Sequence, residues 1–211
     1  MSPTKIGVLI SGGGTNLQSI IDSINQGYIN GRVELIISNK KDAYGLERGK
    51  KAGIESIYIN PSDFENSDLF NNKLLEEFKK RKIDLIVLAG YLKILSKEFV
   101  QEYSGRIINI HPSLIPSFCG KNYYGIRVHN AVIEYGCKIT GATVHIVDEG
   151  ADTGPIILQE SVKVDEDDTP ETLQKKVLEL EHVILPEAVK LYCENRLTIN
   201  GRKVKVIGEM K

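Results

Sequence analysis

Apolar positions along the chain follow two periods. Over the first half, short apolar runs alternate with stretches whose apolar residues recur every three or four positions, the pattern of a parallel α/β sheet. "KIGVLIS" predicts a first strand and "NLQSIIDSINQG" the helix after it, with Leu17, Ile20, Ile21 and Ile24 on one face. "VELIIS" predicts a second strand, "GLERGKKAG" a short helix stopped by glycine, and "SIYI" a third strand. A helix through "DLFNNKLLEEFKKRK" turns Leu74, Leu75 and Phe78 inward; "DLIVLAGY" predicts a central strand, and the helix "KEFVQEYSG" leads into the strand "IINIH".

The pattern then changes. "GATVHIVDEGADTGPIILQESVKV" predicts two antiparallel strands joined by a loop rich in acidic residues and glycine. A long helix follows, with Thr169 as N-cap and Pro170 at its first position, and Pro186 predicts a kink or a restart within it. "LTINGRKVKVI" predicts a closing hairpin with Asn200-Gly201 at its turn. The expected fold class is therefore α/β: a mostly parallel central sheet flanked by helices, with an antiparallel C-terminal portion.

Composition narrows the function. The 211 residues are 41% hydrophobic and 26% charged, enough for one sizeable core, so residues 1–211 are expected to form a single domain. A net charge of -1 argues against nucleic acid as a partner. No apolar run approaches the roughly 20 residues that span a bilayer, and the N-terminus does not resemble a signal peptide. A cytoplasmic protein acting on small molecules is expected, with no membrane partner. Cys119, Cys137 and Cys193 show no Cys/His ligand spacing, so free thiols and no metal are expected.

Polar residues interrupt the apolar pattern at three places. In "SGGGTNLQ", glycines let the backbone approach an anion, and Thr15 and Asn16 open a helix whose free N–H groups favour negative charge. The third glycine of a dinucleotide fingerprint is missing, Leu17 standing in its place, so a phosphate monoester is the expected ligand. In "NIHPSLIP", Asn109 and His111 are two apart on a strand and point the same way, at the carboxyl end where an α/β sheet presents its ligand site. An amide beside an imidazole suits oxyanion stabilisation and proton transfer in acyl chemistry. In "DEGADTGP", Asp152 sits between glycines, and the loop reads either as a solvated turn or as a carboxylate able to favour a protonated His111. His129, His145 and His182 read as structural.

In combination and order, "VLISGGGTNLQ", "VLAGYLKILS", "INIHPSLIP", "TGATVHIVDEGADTGPIILQ" and "LELEH" resemble the folate-dependent formyltransferases. The resemblance runs from Val8 to His182 and implies a Rossmann-like formyltransferase fold. It implies a phosphate-binding half over about 1–100 and a catalytic and folate-binding half over about 101–211. The implied reaction is attack of an amine, that of glycinamide ribonucleotide, on the formyl carbon of 10-formyltetrahydrofolate. The resemblance makes Asn109, His111 and Asp152 one catalytic group, with His111 as general acid kept protonated by Asp152 and Asn109 stabilising the oxyanion. It puts the phosphate on Gly14, Thr15 and Asn16 and the glycinamide end on Glu181. It lays the folate along Leu92, Lys93, Ile94 and Leu95, beside Asn109 and the backbone of Asp148, Glu149, Gly150 and Ala151. No metal is implied, and a monomer and a homodimer both stay open.

Two segments depart from the family pattern. Ser67 stands where some members carry a substrate-binding arginine, and "SFCGKNYYGIRVHNAV" has Lys121 to Tyr124 where some relatives have histidines. Lys121 and Arg127 are the expected replacement anion ligands.

Overall fold

The apolar runs of the first half form parallel strands. A computed structural model describes residues 2–208; Met1 and residues 209–211, the ends of the 1–211 span, lie outside the described residues. In it, β1 (Thr4–Ile10), β2 (Gly31–Ser38), β3 (Ser56–Tyr58), β4 (Leu85–Leu88) and β5 (Ile107–His111) pair in parallel. Between them run α1 (Thr15–Asn25), α2 (Tyr44–Lys51), α3 (Ser67–Lys80) and α4 (Lys97–Glu102). After β5 come α5 (Ile126–Glu134), β6 (Ile139–Ile146), β7 (Ile156–Lys163), α6 (Pro170–Cys193), β8 (Leu197–Asn200) and β9 (Lys203–Val206).

These strands share one sheet in the order β3-β2-β1-β4-β5-β6-β7-β9-β8. The pairs β5–β6, β6–β7 and β8–β9 are antiparallel, so the fold is α/β with a mostly parallel sheet and an antiparallel C-terminal portion. Helices cover both faces, which is why β4, "LIVL", is apolar and buried throughout. Along β1 the side chains alternate: Ile6, Val8 and Ile10 join Leu17, Ile20, Val177 and Leu185 on one face, while Leu9 joins Leu74, Phe78 and Phe99 on the other. Each such burial contributes about 1.5–3 kcal/mol.

The chain reverses its direction of travel across the sheet beside β1, whose neighbours are β2 and β4. Loops leaving the carboxyl ends of β1 and β4 therefore diverge around a crevice. Ser11 ties their bases together: its N–H donates to the Gly90 carbonyl at 3.1 Å, and its Oγ accepts from the Leu92 N–H at 2.9 Å.

Two local expectations need correction. Helix α6 does not restart at Pro186; it runs as one element from Pro170 to Cys193. Packing of Ile184, Leu185, Pro186, Ala188 and Val189 holds it together across the one backbone hydrogen bond that proline cannot donate. The closing hairpin turns at Gly201-Arg202, because Asn200 is still paired with Lys203. Gly201 has φ 58°, as the first central residue of a tight hairpin turn requires.

Candidate active site

Strand register assembles the polar group. Asn109 of β5 stands opposite His145 of β6, and the Asn109 Nδ2 lies 3.1 Å from His145 Nε2. The His145 Nδ1–H donates to the Ile146 carbonyl at 2.9 Å, and its Nε2, beside the Asn109 amide, also lies 3.6 Å from Asp152 Oδ1. Two residues on, His111 donates from Nε2 to the Phe118 carbonyl at 2.9 Å. Its Nδ1 lies 3.4 Å from Asp152 Oδ2. Asp152 comes from the β6–β7 loop and is held by the Gly120 N–H, which donates to Oδ2 at 2.9 Å; its Oδ1 is 3.4 Å from Asn109 Nδ2.

Burial and neighbouring charges pull against each other at both groups. Burial pushes the Asp152 carboxyl up, but His145, His111 and the Gly120 amide together outweigh it and leave the group below the usual carboxylate range. Burial also dominates at His111, and there it wins: the imidazole is held below its ordinary value despite the pull of Asp152 and the Phe118 carbonyl. Desolvating the imidazolium thus outweighs what the carboxylate returns. Both ring nitrogens nevertheless face oxygen acceptors, so the ring is set to take a proton that arrives during reaction.

In the same crevice, Gly14 caps α1 in a left-handed conformation (φ 69°). A Cβ there would lie 2.6 Å from the Gly45 Cα, so only glycine fits. The Asn16 Nδ2 donates to the buried Glu181 carboxylate of α6 at 2.5 Å. Burial pushes Glu181 up to about 7, against the opposing pull of Asn16.

Also along the crevice, Leu92 and Ile94 are 50% and 70% exposed, while Leu95 is buried. Across from them the Asp148 carboxylate accepts from the Gly150 N–H and the Thr153 hydroxyl, and Glu149 is engaged by Lys97 and Gln101. With those side chains occupied, this loop offers a ligand mainly its backbone. One cleft of about 800 Å³ joins all of these parts, and each residue that the sequence nominated for catalysis, phosphate or folate lines it. Lys121 lines it too, whereas Ser67 opens α3 outside it and Arg127 stacks over the Tyr124 ring at 4.9 Å.

Residues 4–189 match the formyl transferase family. The chain belongs to that family. It is 43% identical over 194 residues to the chloroplastic phosphoribosylglycinamide formyltransferase of Arabidopsis thaliana, covering 92% of this chain and 66% of that relative's length. It is 42% identical to the phosphoribosylglycinamide formyltransferase of Haemophilus influenzae, covering 97% of this chain and 94% of the relative. The crystal structure of glycinamide ribonucleotide transformylase 1 from Symbiobacterium toebii superposes with a TM-score of 0.93 at 43% identity, covering 98% of this chain and 95% of that one.

Formyltransferases of this family use a formyl folate as co-substrate. Among the described residues, no group of three or more His, Cys, Asp or Glu side chains could hold a metal, and no helix is long and apolar enough to cross a membrane.

Two histidines that read as structural in the sequence line the same cleft. His145 looked structural inside an apolar strand, and only the β5–β6 register reveals that it faces Asn109. His129 lies on α5, lines the cleft, and is pushed down to about 4 by burial, with His111 adding to the shift. Arg48 of α2 was also passed over: its Nε donates to the Gly13 carbonyl at 2.8 Å. No local motif marks these residues, because each acts across elements distant in sequence.

Proposed function

We propose that this chain transfers the formyl group of 10-formyltetrahydrofolate to the amine of N1-(5-phospho-D-ribosyl)glycinamide, giving the N-formyl product and tetrahydrofolate in purine (IMP) biosynthesis. The observation that carries the proposal is that Asn109, His111 and Asp152 meet in one cleft that is also lined by a glycine-rich helix start and by the exposed Leu92 and Ile94. An anionic acceptor and a large, partly apolar donor can thus meet at one reactive group.

The acceptor phosphate sits on the backbone of Gly14, Thr15 and Asn16, and Glu181 receives the glycinamide end. Leu92, Lys93, Ile94 and Leu95 form one wall for the folate, and the backbone of Asp148, Glu149, Gly150 and Ala151 reads its pterin. Lys121, at the rim, meets an anionic group of one substrate; unchanged Michaelis constants in Lys121→Ala would remove that role.

The amine nitrogen attacks the formyl carbon and the C–O π pair moves onto oxygen. The Asn109 amide donates to that oxyanion, a contribution worth about 10²–10³-fold for one such donor. His111 takes the proton released by the attacking amine, and Asp152 stabilises the imidazolium as it forms. The ring then acts as general acid, giving the proton to N10 as the C–N10 bond breaks and tetrahydrofolate leaves.

The test is a spectrophotometric transfer assay with a 10-formyl folate and, separately, glycinamide ribonucleotide, an amino-sugar nucleotide or water as acceptor. Folate product with glycinamide ribonucleotide alone supports the proposal. Turnover only with the amino sugar keeps the chemistry and replaces the acceptor; turnover with none rejects a transferase.

A further inference from the structure

The glycine-rich loop after β1 is fixed from behind by α2. The Gly12 carbonyl accepts from the Gly45 N–H at 3.1 Å, and the Gly13 carbonyl accepts from Arg48 Nε at 2.8 Å. In a planar trans peptide the carbonyl and the following N–H point in opposite directions. Pinning those two carbonyls toward α2 therefore turns the N–H groups of Gly13 and Gly14 away from it. Neither N–H finds an acceptor among the described residues. Both glycines line the cleft, and no heavy atom lies within 4 Å of where a Cβ on Gly12 or Gly13 would stand.

Arg48 is itself well oriented. Its Nη1 donates to Gln18 Oε1 at 3.2 Å and its guanidinium lies 5.1 Å from the centroid of the Tyr44 ring. Among the described residues no carboxylate lies within ion-pair distance of it. An uncompensated cation thus stands directly behind a row of outward N–H groups, and both favour the same charge in the cleft. Gly45 lets the two segments touch: a Cβ on it would lie 2.4 Å from the Ile10 Cδ1 and 3.3 Å from the Gly14 Cα.

We propose that Arg48 is a positioning residue for the acceptor's phosphate, holding the Gly13–Gly14 peptide so that its N–H meets the anion and adding its own charge from behind. The inference rests on the reading that the acceptor's phosphate sits on Gly14, Thr15 and Asn16. Arg48 makes no direct contact in this scheme. It acts on binding of the phosphorylated acceptor, not on the formyl carbon.

The experiment compares wild type, Arg48→Met and Arg48→Lys with the phosphorylated acceptor and with its dephosphorylated riboside, after circular dichroism and melting show that each variant is folded. In Arg48→Met the Michaelis constant for the phosphorylated acceptor is expected to rise ~10-fold or more, the scale of one charge-assisted hydrogen bond. The turnover number and the folate Michaelis constant stay within about 3-fold, and kcat/KM for the riboside does not change. Arg48→Lys, which keeps the charge and loses the guanidinium geometry, recovers part of the loss and serves as the readout if the Met variant does not fold. A folded variant pair with unchanged acceptor Michaelis constants overturns the role of Arg48. A wild type that turns over phosphorylated and dephosphorylated acceptors equally well overturns the phosphate reading itself, and the inference with it.

Discussion

Asp152 Oδ2 lies 3.4 Å from His111 Nδ1, and Asp152 adopts a left-handed backbone conformation (φ 57°) at that position. A non-glycine residue there costs about 1 kcal/mol or more, so the loop around it must hold the conformation in place. The same carboxylate reaches the Gly120 N–H and the neighbourhood of Asn109, which makes it the hub of the polar group.

Asp152→Asn is expected to lower the His111 pKa further, because the carboxylate is the larger of the two influences that oppose burial there. The imidazolium formed during transfer loses its partner, so kcat should fall ~10²-fold or more across neutral pH. NMR titration of the His111 ring and the pH profile of kcat check both parts.

Asn109→Ala removes the oxyanion donor and is expected to lower kcat ~10²–10³-fold. His145→Phe keeps much of the ring volume but removes the ring nitrogen beside the amide, and a smaller loss, about 10-fold, is expected. Steady-state kinetics of the single and double variants check the coupling: if His145 acts through Asn109, the double variant is no worse than Asn109→Ala.

Some of these residues are marked in the sequence and others are not. Asn109 and His111 stand out because polar side chains break an apolar strand at the carboxyl end of a parallel sheet, and the glycines after β1 stand out because a backbone without side chains can approach an anion closely. His145 broke its strand in the same way, yet one strand alone does not say which neighbour it faces. Arg48 carries no such mark, being one of several charges on a short helix, and only the packing of α2 against the glycine loop sets it beside Gly13. Whether His111 is charged was least legible, since it depends on the balance between burial and one carboxylate.

Glu181 makes stability depend on pH with an opposite sign to an ordinary carboxylate. Its folded value of about 7 lies above the unfolded 4.5, so the folded state binds the extra proton and loses that stabilisation as pH rises through 7. Glu181→Gln is expected to be more stable than wild type at pH 8, on the order of 2 kcal/mol, with the difference shrinking toward pH 5. Urea unfolding of both proteins at the two pH values measures it.

Gly154 closes the loop that presents Asp152. A Cβ there would lie 1.7 Å from the Ile146 carbonyl oxygen, a backbone atom that cannot step aside without moving the end of β6. Gly154→Ala is expected to cost about 3 kcal/mol or more and to displace Asp152, so thermal unfolding shifts down and activity falls together.

Proton transfer by His111 between the two nitrogens in this cleft is measured by single-turnover transfer of labelled formyl from 10-formyltetrahydrofolate to glycinamide ribonucleotide, with wild type and His111→Gln compared at saturating substrates. Label is expected on the glycinamide amine in wild type, with a rate at least ~10³-fold lower in the variant and both substrates still bound. Transfer by His111→Gln at the wild-type rate would exclude that role.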